Sequence, residues 1–139
     1  MKTIQGKIWK FGDNIDTDII IPARYLTLPL EEMKLKAMSP LRPDFAAGFS
    51  PGGVIVAGRN FGCGSSREQA PAVLKALGVS AIVAESFARI FFRNAVNLGL
   101  PLVECRETAG QFTEGDVIEI DPARGRARKA GGEIVCTVF

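Results

Sequence analysis

Two hydroxyls, a guanidinium and a carboxylate stand in an unbroken row at Ser65, Ser66, Arg67 and Glu68, directly after glycines at Gly62 and Gly64. Glycine lets a backbone take left-handed angles and approach a ligand closely. Amides at the start of a helix carry positive potential that favours an anion, and a guanidinium offers a planar fork matching a carboxylate. Together the residues read as a cradle for a carboxylate or a phosphate. A second reading stays open beside it. Ser65 with Glu68, and Ser66 with Gln69, have the spacing of a capping box, so the serines serve equally well to close a helix end. Nucleotide motifs do not fit: Arg67 stands where GxGxxG needs its third glycine, and no lysine precedes a serine as in a P-loop. A GxSxG nucleophile elbow is also absent.

What is missing narrows the chemistry further. The chain contains no histidine, which excludes a Ser/His/Asp triad, a Cys/His dyad and a histidine-ligated metal within it. Cys63, Cys105 and Cys136 are odd in number, widely spaced and without a CxxC pair. They read as free thiols, and no zinc or iron-sulfur site is expected from them alone. A metal that the reaction needs has to come from another chain.

The elements that position the cradle follow from periodicity. A strand is expected around Lys7 to Phe11, then the acidic turn Asp13 to Asp18, then an apolar run Ile19 to Ile21 stopped by Pro22. Helix formers fill Pro29 to Met38, with Glu31 and Glu32 near the start, and Pro40 and Pro43 end the stretch. In the centre, the short β-branched run GGVIVAG, the helical REQAPAVLKALG, the strand SAIVAE, the helical SFARIFFRNAVNLG and the strand LPLVEC alternate. That order predicts an α/β fold with a parallel βαβαβ core. Pro71 leaves open whether the first of these helices starts late or is distorted in its first turn. After Cys105, GDVIEID, RGRARKAGGE and IVCTVF predict added antiparallel strands, with Phe139 close to a strand end. The cradle thus sits at the carboxyl end of a parallel strand, where open α/β sheets bind ligands.

Composition agrees with a soluble enzyme or binding module. With 139 residues, 47% hydrophobic and 23% charged, one domain over 1–139 is expected. A net charge of +2 gives no reason to expect nucleic acid or a membrane surface as partner. No apolar run reaches the roughly 18 to 20 residues of a membrane span, and the first residues lack a secretory stretch, so the expected compartment is the cytoplasm.

FGDNIDTDIIIPARYL, VIVAGRNFGCGSSRE and AIVAESFARIFFRNAVNLGLP, in that order, resemble the signature blocks of the 3-isopropylmalate dehydratase small-subunit family, itself similar to the C-terminal domain of aconitase. The resemblance spans roughly residues 7 to 105. It implies a swivelling β/β/α domain that closes over a large subunit carrying a [4Fe-4S] cluster, with no cofactor or metal bound by this chain. It also implies a hydro-lyase that isomerises 2-isopropylmalate and 3-isopropylmalate in leucine biosynthesis. By motif match Ser65 is the base next to a substrate carboxylate, and Ser66 and Arg67 bind carboxylates. Thr17 and Asp18 match a segment that also reaches the active site. In the loop after ARYL, which reads LTLPL, Leu26, Thr27 and Leu28 stand where substrates are distinguished; Leu26, Leu28 and Leu30 are apolar and no arginine is present, which suits an alkyl-branched malate better than a third carboxylate. Citramalate, dimethylmalate and homocitrate are the alternatives within the family, and a non-catalytic carboxylate-binding module the alternative outside it. An isolated chain is also a candidate homo-oligomer.

Other polar features read more plainly. Arg89 and Arg93, with Asn94 and Asn97 nearby, are read as a solvated helix face, and Phe87, Ile90, Phe91, Ala95 and Leu98 as core. Cys63 is read as packing, and Arg124 to Lys129 as a solvated hairpin rather than a nucleic-acid contact. Two departures from the family stand out: Gln69 replaces a common histidine, and the sequence stops at Phe139 where many relatives continue.

Overall fold

A computed structural model describes residues 2–129 and 132–139. Its eight strands are β1 (Ile4–Lys10), β2 (Val54–Val56), β3 (Ala81–Ala84), β4 (Leu102–Glu104), β5 (Val117–Asp121), β6 (Arg126–Lys129), β7 (Gly132–Val135) and β8 (Thr137–Val138). They lie in the order β7-β6-β5-β1-β2-β3-β4-β8, with β1 to β4 mutually parallel and all other pairs antiparallel. The α/β class, the parallel core and the added antiparallel strands are therefore as the periodicity predicts. Residues 130–131, part of the turn expected within RGRARKAGGE, lie outside the described residues.

Strands β7 and β8 stand at opposite ends of that order, yet only Cys136 separates them in the chain. Neighbouring Cα atoms are about 3.8 Å apart. The sheet must therefore curl until its two ends nearly meet. Alternation along the strands sends side chains to two separate cores. Ile8, Val54, Val56, Ala81, Val83, Val103, Ile118, Ile120 and Ala127 fill the inside of the curl, while Ile55, Ile82, Ala84 and Leu102 face the helices. Both faces are dry, which is why β2 and β3 read as continuous apolar runs.

Helices α1 (Thr17–Ile20), α2 (Leu30–Met33) and α3 (Phe45–Gly48) lie between β1 and β2, α4 (Gln69–Leu77) between β2 and β3, and α5 (Arg89–Asn97) between β3 and β4. A short α6 (Thr108–Gln111) follows β4. Helix α4 buries Ala70, Val73, Leu74 and Leu77, one stripe at helical spacing, and ends on Gly78 at φ 94°. It starts at Gln69, so Pro71 falls within its first turn, where an amide has no helical partner to lose.

Four expectations need correction. The acidic turn expected from Asp13 to Asp18 ends at Asp16, because that carboxylate caps the Ile19 N–H at 2.8 Å and starts helix α1 at Thr17. The stretch from Pro29 to Met38 is helical only in pieces, α2 followed by a 3₁₀ turn at Lys34–Lys36. Ile90 and Leu98 are exposed, since α5 turns only Phe91 and Ala95 fully inward. Finally, Cys105 and Cys136 are joined as a disulfide, and only Cys63 is free. Curling brings together residues 31 positions apart, which sequence spacing does not reveal.

Burial separates two isoleucines. Ile82→Ala is expected to cost about 2–5 kcal/mol and Ile90→Ala less than about 1 kcal/mol, checked by urea denaturation of the two variants. An equal loss at both positions would contradict the assignment of Ile90 to the surface.

Candidate active site

Three loops leave the carboxyl ends of β1, β2 and β3, and the middle one carries the cradle. On the β1 side Gly58 N–H donates to the Gly12 carbonyl (3.0 Å), Asn14 N–H to Arg59 (2.8 Å) and Gly62 N–H to Ile15 (2.7 Å). On the β3 side Glu85 N–H donates to Gly58 (3.0 Å), Phe61 N–H to Ser86 (3.0 Å) and Ala88 N–H to Phe61 (2.9 Å). The middle loop is thus stitched along both edges. Asn14 and Asn60 hold left-handed angles and share a side-chain hydrogen bond of 3.2 Å, a conformation asparagine tolerates better than most residues. Gly62, at φ 83°, lies flat on Phe91, whose ring a Cβ there would overlap.

Thr17 sets the direction of the cradle. Its N–H donates to the Cys63 carbonyl (2.8 Å) and its hydroxyl to the Ser65 carbonyl (2.9 Å), and its side chain is buried. In a trans peptide the N–H points opposite to the carbonyl of the same unit. With those carbonyls turned toward Thr17, the N–H groups of Gly64 and Ser66 face the other way. Among the described residues, no backbone amide from Cys63 to Gln69 donates to a protein acceptor. Successive free amides of this kind form an anion-binding concavity.

The capping alternative does not hold. Helix α4 has Glu68 at its N-cap with no side-chain capping bond, and Ser65 and Ser66 lie upstream of it, exposed. Neither hydroxyl makes a hydrogen bond among the described residues. The serines are free to meet a ligand. The donors that could meet an anion here are consequently the loop amides and Arg67, not the first turn of α4.

Arg67 is the anchored cation. Its Nη1 donates to Asp18 Oδ1 (2.9 Å) and to the Ile21 carbonyl (3.0 Å), and its side chain is 15% exposed while that of Asp18 is 69% exposed. Nε and Nη2, the side-on edge that grips a carboxylate with two bonds, are not used by the described residues. The bond from Arg67 holds the Asp18 carboxyl below its ordinary range, outweighing the opposing effect of desolvation. Burial pushes the Cys63 thiol up, helped by the nearby Asp16 carboxylate, so it is not an activated nucleophile.

Thr17, Asp18, Ser65 and Arg67 are therefore joined by direct hydrogen bonds, with Ser66 between the last two. Leu26, Thr27 and Leu28 are not bonded to that cluster: Leu26 and Leu28 pack half-buried on the helix-side core and Thr27 is exposed. Arg24 is exposed and lies over the Tyr25 ring at 4.7 Å. Gln69, with Glu68, Asn94 and Asn97, lines a groove of about 410 Å³ between α4 and α5. Arg89 and Arg93 are exposed without an ion pair among the described residues. Sequence reasoning missed Asp16, whose place before Thr17 marks an N-cap, and the Ile21 carbonyl, for which no side chain gives a signal. Among the described residues no three metal-ligating side chains gather, so their donor set does not fit a metal cluster.

Two expectations follow from this geometry. Thr17→Val should cost about 1–3 kcal/mol in chemical denaturation, because the Ser65 carbonyl loses its partner. A folded pKa below the unfolded value of about 3.9 means that the Asp18–Arg67 contribution is present above that value and is lost as pH falls through the folded pKa. An NMR titration of the Asp18 carboxyl carbon should give its midpoint below that of an unpaired aspartate, and Arg67→Lys should raise it.

Residues 50–107 match the family described as Aconitase C-terminal domain. The 3-isopropylmalate dehydratase small subunit of Lachnospira eligens is 58% identical over 117 residues, covering 84% of this chain and 71% of that protein. The methanogen homoaconitase small subunit of Methanothermobacter thermautotrophicus is 55% identical over 133 residues, covering 94% of this chain and 76% of that protein. The crystal structure of 3-isopropylmalate dehydratase from Methanocaldococcus jannaschii superposes with a TM-score of 0.94 at 41% identity, over 99% of this chain and 83% of that one.

Proposed function

The chain belongs to the aconitase family, with the 3-isopropylmalate dehydratase small subunits, and from that premise we propose that it is the small subunit of a two-component hydro-lyase. In this reading it interconverts 2-isopropylmalate and 3-isopropylmalate by dehydration and rehydration, as a step of leucine biosynthesis in the cytoplasm. No described helix is long and apolar enough to cross a membrane. The partner is a large subunit, which supplies the [4Fe-4S] cluster as Lewis acid for the substrate hydroxyl.

One observation carries the proposal: the Ser65–Arg67 segment faces outward with its amides, hydroxyls and guanidinium edge uncommitted, while Thr17 and Asp18 hold it from behind. A substrate carboxylate takes two bonds from Nε and Nη2 of Arg67 and others from the Ser66 hydroxyl and the outward amides. Ser65 Oγ, as alkoxide, removes the proton from the carbon next to that carboxylate. The C–H electron pair becomes the new double bond as the hydroxyl leaves from the neighbouring carbon. Rehydration delivers the proton from Ser65 to the carbon that lost the hydroxyl and places a hydroxyl on the carbon that lost the proton. A free serine is a weak base, and the surrounding amides and guanidinium favour its ionised form. This chain has no histidine, and in this reading the acid that protonates the departing hydroxyl resides on the partner. Thr17 is then a positioning residue, acting through the loop it holds.

Substrate choice does not follow from overall likeness, because relatives named for isopropylmalate and for homoaconitase are similar to nearly the same degree. The apolar Leu26 and Leu28 favour isopropylmalate over a substrate with a third carboxylate.

The test is a substrate panel on the purified complex with a large subunit, with wild-type chain and Ser65→Ala in parallel. Turnover is expected with isopropylmalate and not with citrate or homocitrate, and Ser65→Ala should lower kcat about 10²- to 10⁴-fold. Unchanged turnover in the variant rejects the base, and preference for homocitrate rejects the reading of the apolar loop.

A further inference from the structure

Cys105 directly follows β4, and Cys136 occupies the corner between β7 and β8, where the two ends of the curled sheet meet. Their Cα atoms are 4.7 Å apart, within the usual span of a disulfide. The rest of the seam is short. Strand β8 is two residues long and joins β4 through Val103↔Val138 and Glu104↔Thr137, continued by Phe139 N–H donating to the Leu102 carbonyl (2.9 Å) and by the Phe139 ring edge to face with Phe92 at 4.8 Å. Both cysteines also line a groove of about 650 Å³ together with Glu85, Glu104, Arg106 and Thr137. A purely internal cross-link needs no such cleft beside it. Of the two, Cys136 is the more accessible, 8% exposed against 3% for Cys105.

We propose that Cys105 and Cys136 form a thiol–disulfide exchange site, served through this groove by low-molecular-weight thiols and their disulfides, and that exchange opens and closes the seam of the sheet. In the reducing direction a thiolate attacks Cys136 Sγ, the protein S–S bond breaks, and Cys105 leaves as a thiolate that takes a proton from water. A second thiolate then attacks the incoming sulfur of the mixed disulfide and releases Cys136. Two thiols are oxidised to one small disulfide as the protein gains two electrons. The oxidising direction is the reverse, with the small disulfide as electron acceptor.

The site is coupled to the candidate active site through α6. Thr108, on that helix, donates its buried hydroxyl to the Ala57 carbonyl at 2.6 Å, and Glu107 N–H donates to Glu85 Oε1 at 3.2 Å. Ala57 and Glu85 open the loops that carry and brace the cradle. A loosened seam is therefore one short turn from the residues just before Gly58.

The full-length chain is incubated in native buffer with oxidised glutathione, then with reduced glutathione, and followed by intact mass, alkylation and thermal melting. Oxidation is expected to lower the mass by two hydrogens and leave Cys63 as the only cysteine alkylated after unfolding. Reduction in the native state should restore all three. The oxidised form should melt about 10 °C higher, as expected for a cross-link of this loop length. Cys136→Ser should abolish the mass change and the difference in melting, and Cys63→Ser should keep both, so the test stands even where Cys136→Ser folds poorly. A mass unmoved by oxidised glutathione, a bond that resists reduction until the chain is unfolded, or oxidised and reduced forms that melt together would each overturn the proposal.

Discussion

The arrangement of the cradle depends on the two hydrogen bonds made by Thr17. A glycine-containing loop between β2 and α4 has many conformations open to it, and ordering each residue costs about 1–2 kcal/mol of entropy. By taking the carbonyls of Cys63 and Ser65, Thr17 fixes both peptide planes and turns the intervening donors toward solvent. Arg67 is fixed by the same neighbourhood, through Asp18 and the Ile21 carbonyl. The first loop therefore works as a template on which the second is laid out. Ordering is completed during folding, and a ligand of the proposed site would not have to supply it at binding.

This explains why two segments separated by more than forty positions read as one unit. Periodicity made β2, α4, β3, α5 and β4 legible, since each strand is buried on both faces and each helix has a single apolar stripe. The Gly-Cys-Gly-Ser-Ser-Arg run was legible as an anion cradle, but only as one of two readings. Capping and binding make the same demand on residue type, and what separates them is whether α4 starts at the serines or after them, a boundary that propensity does not fix. Helix α1 was missed because its four residues straddle the end of an acidic turn and the start of an apolar run, and only the Asp16 cap joins them into a helix. The disulfide was misread for a topological reason. Nothing in the spacing of Cys105 and Cys136 says that β7 and β8 lie at opposite ends of one curled sheet.

The curl also divides labour between the cores. Its interior, from Ile8 to Ala127, is closed off from the helices and holds the barrel-like frame, while the outer core seats α4 and α5 beneath the loops. Phe61, Phe87 and Phe91 pack as a group at the boundary, with Phe61 and Phe91 edge to face at 5.2 Å. Phe91 is the floor on which Gly62 rests. The loop is therefore supported by packing below and by hydrogen bonds at its sides, and Gly64, Ser65 and Ser66 are left exposed above.

The ion pair behind that loop has a further role. Because the bond from Arg67 holds the Asp18 carboxyl below its ordinary range, that carboxylate stays ionised around neutrality. The guanidinium therefore keeps its tether in every medium short of an acidic one, and acidification is the perturbation that would set it loose.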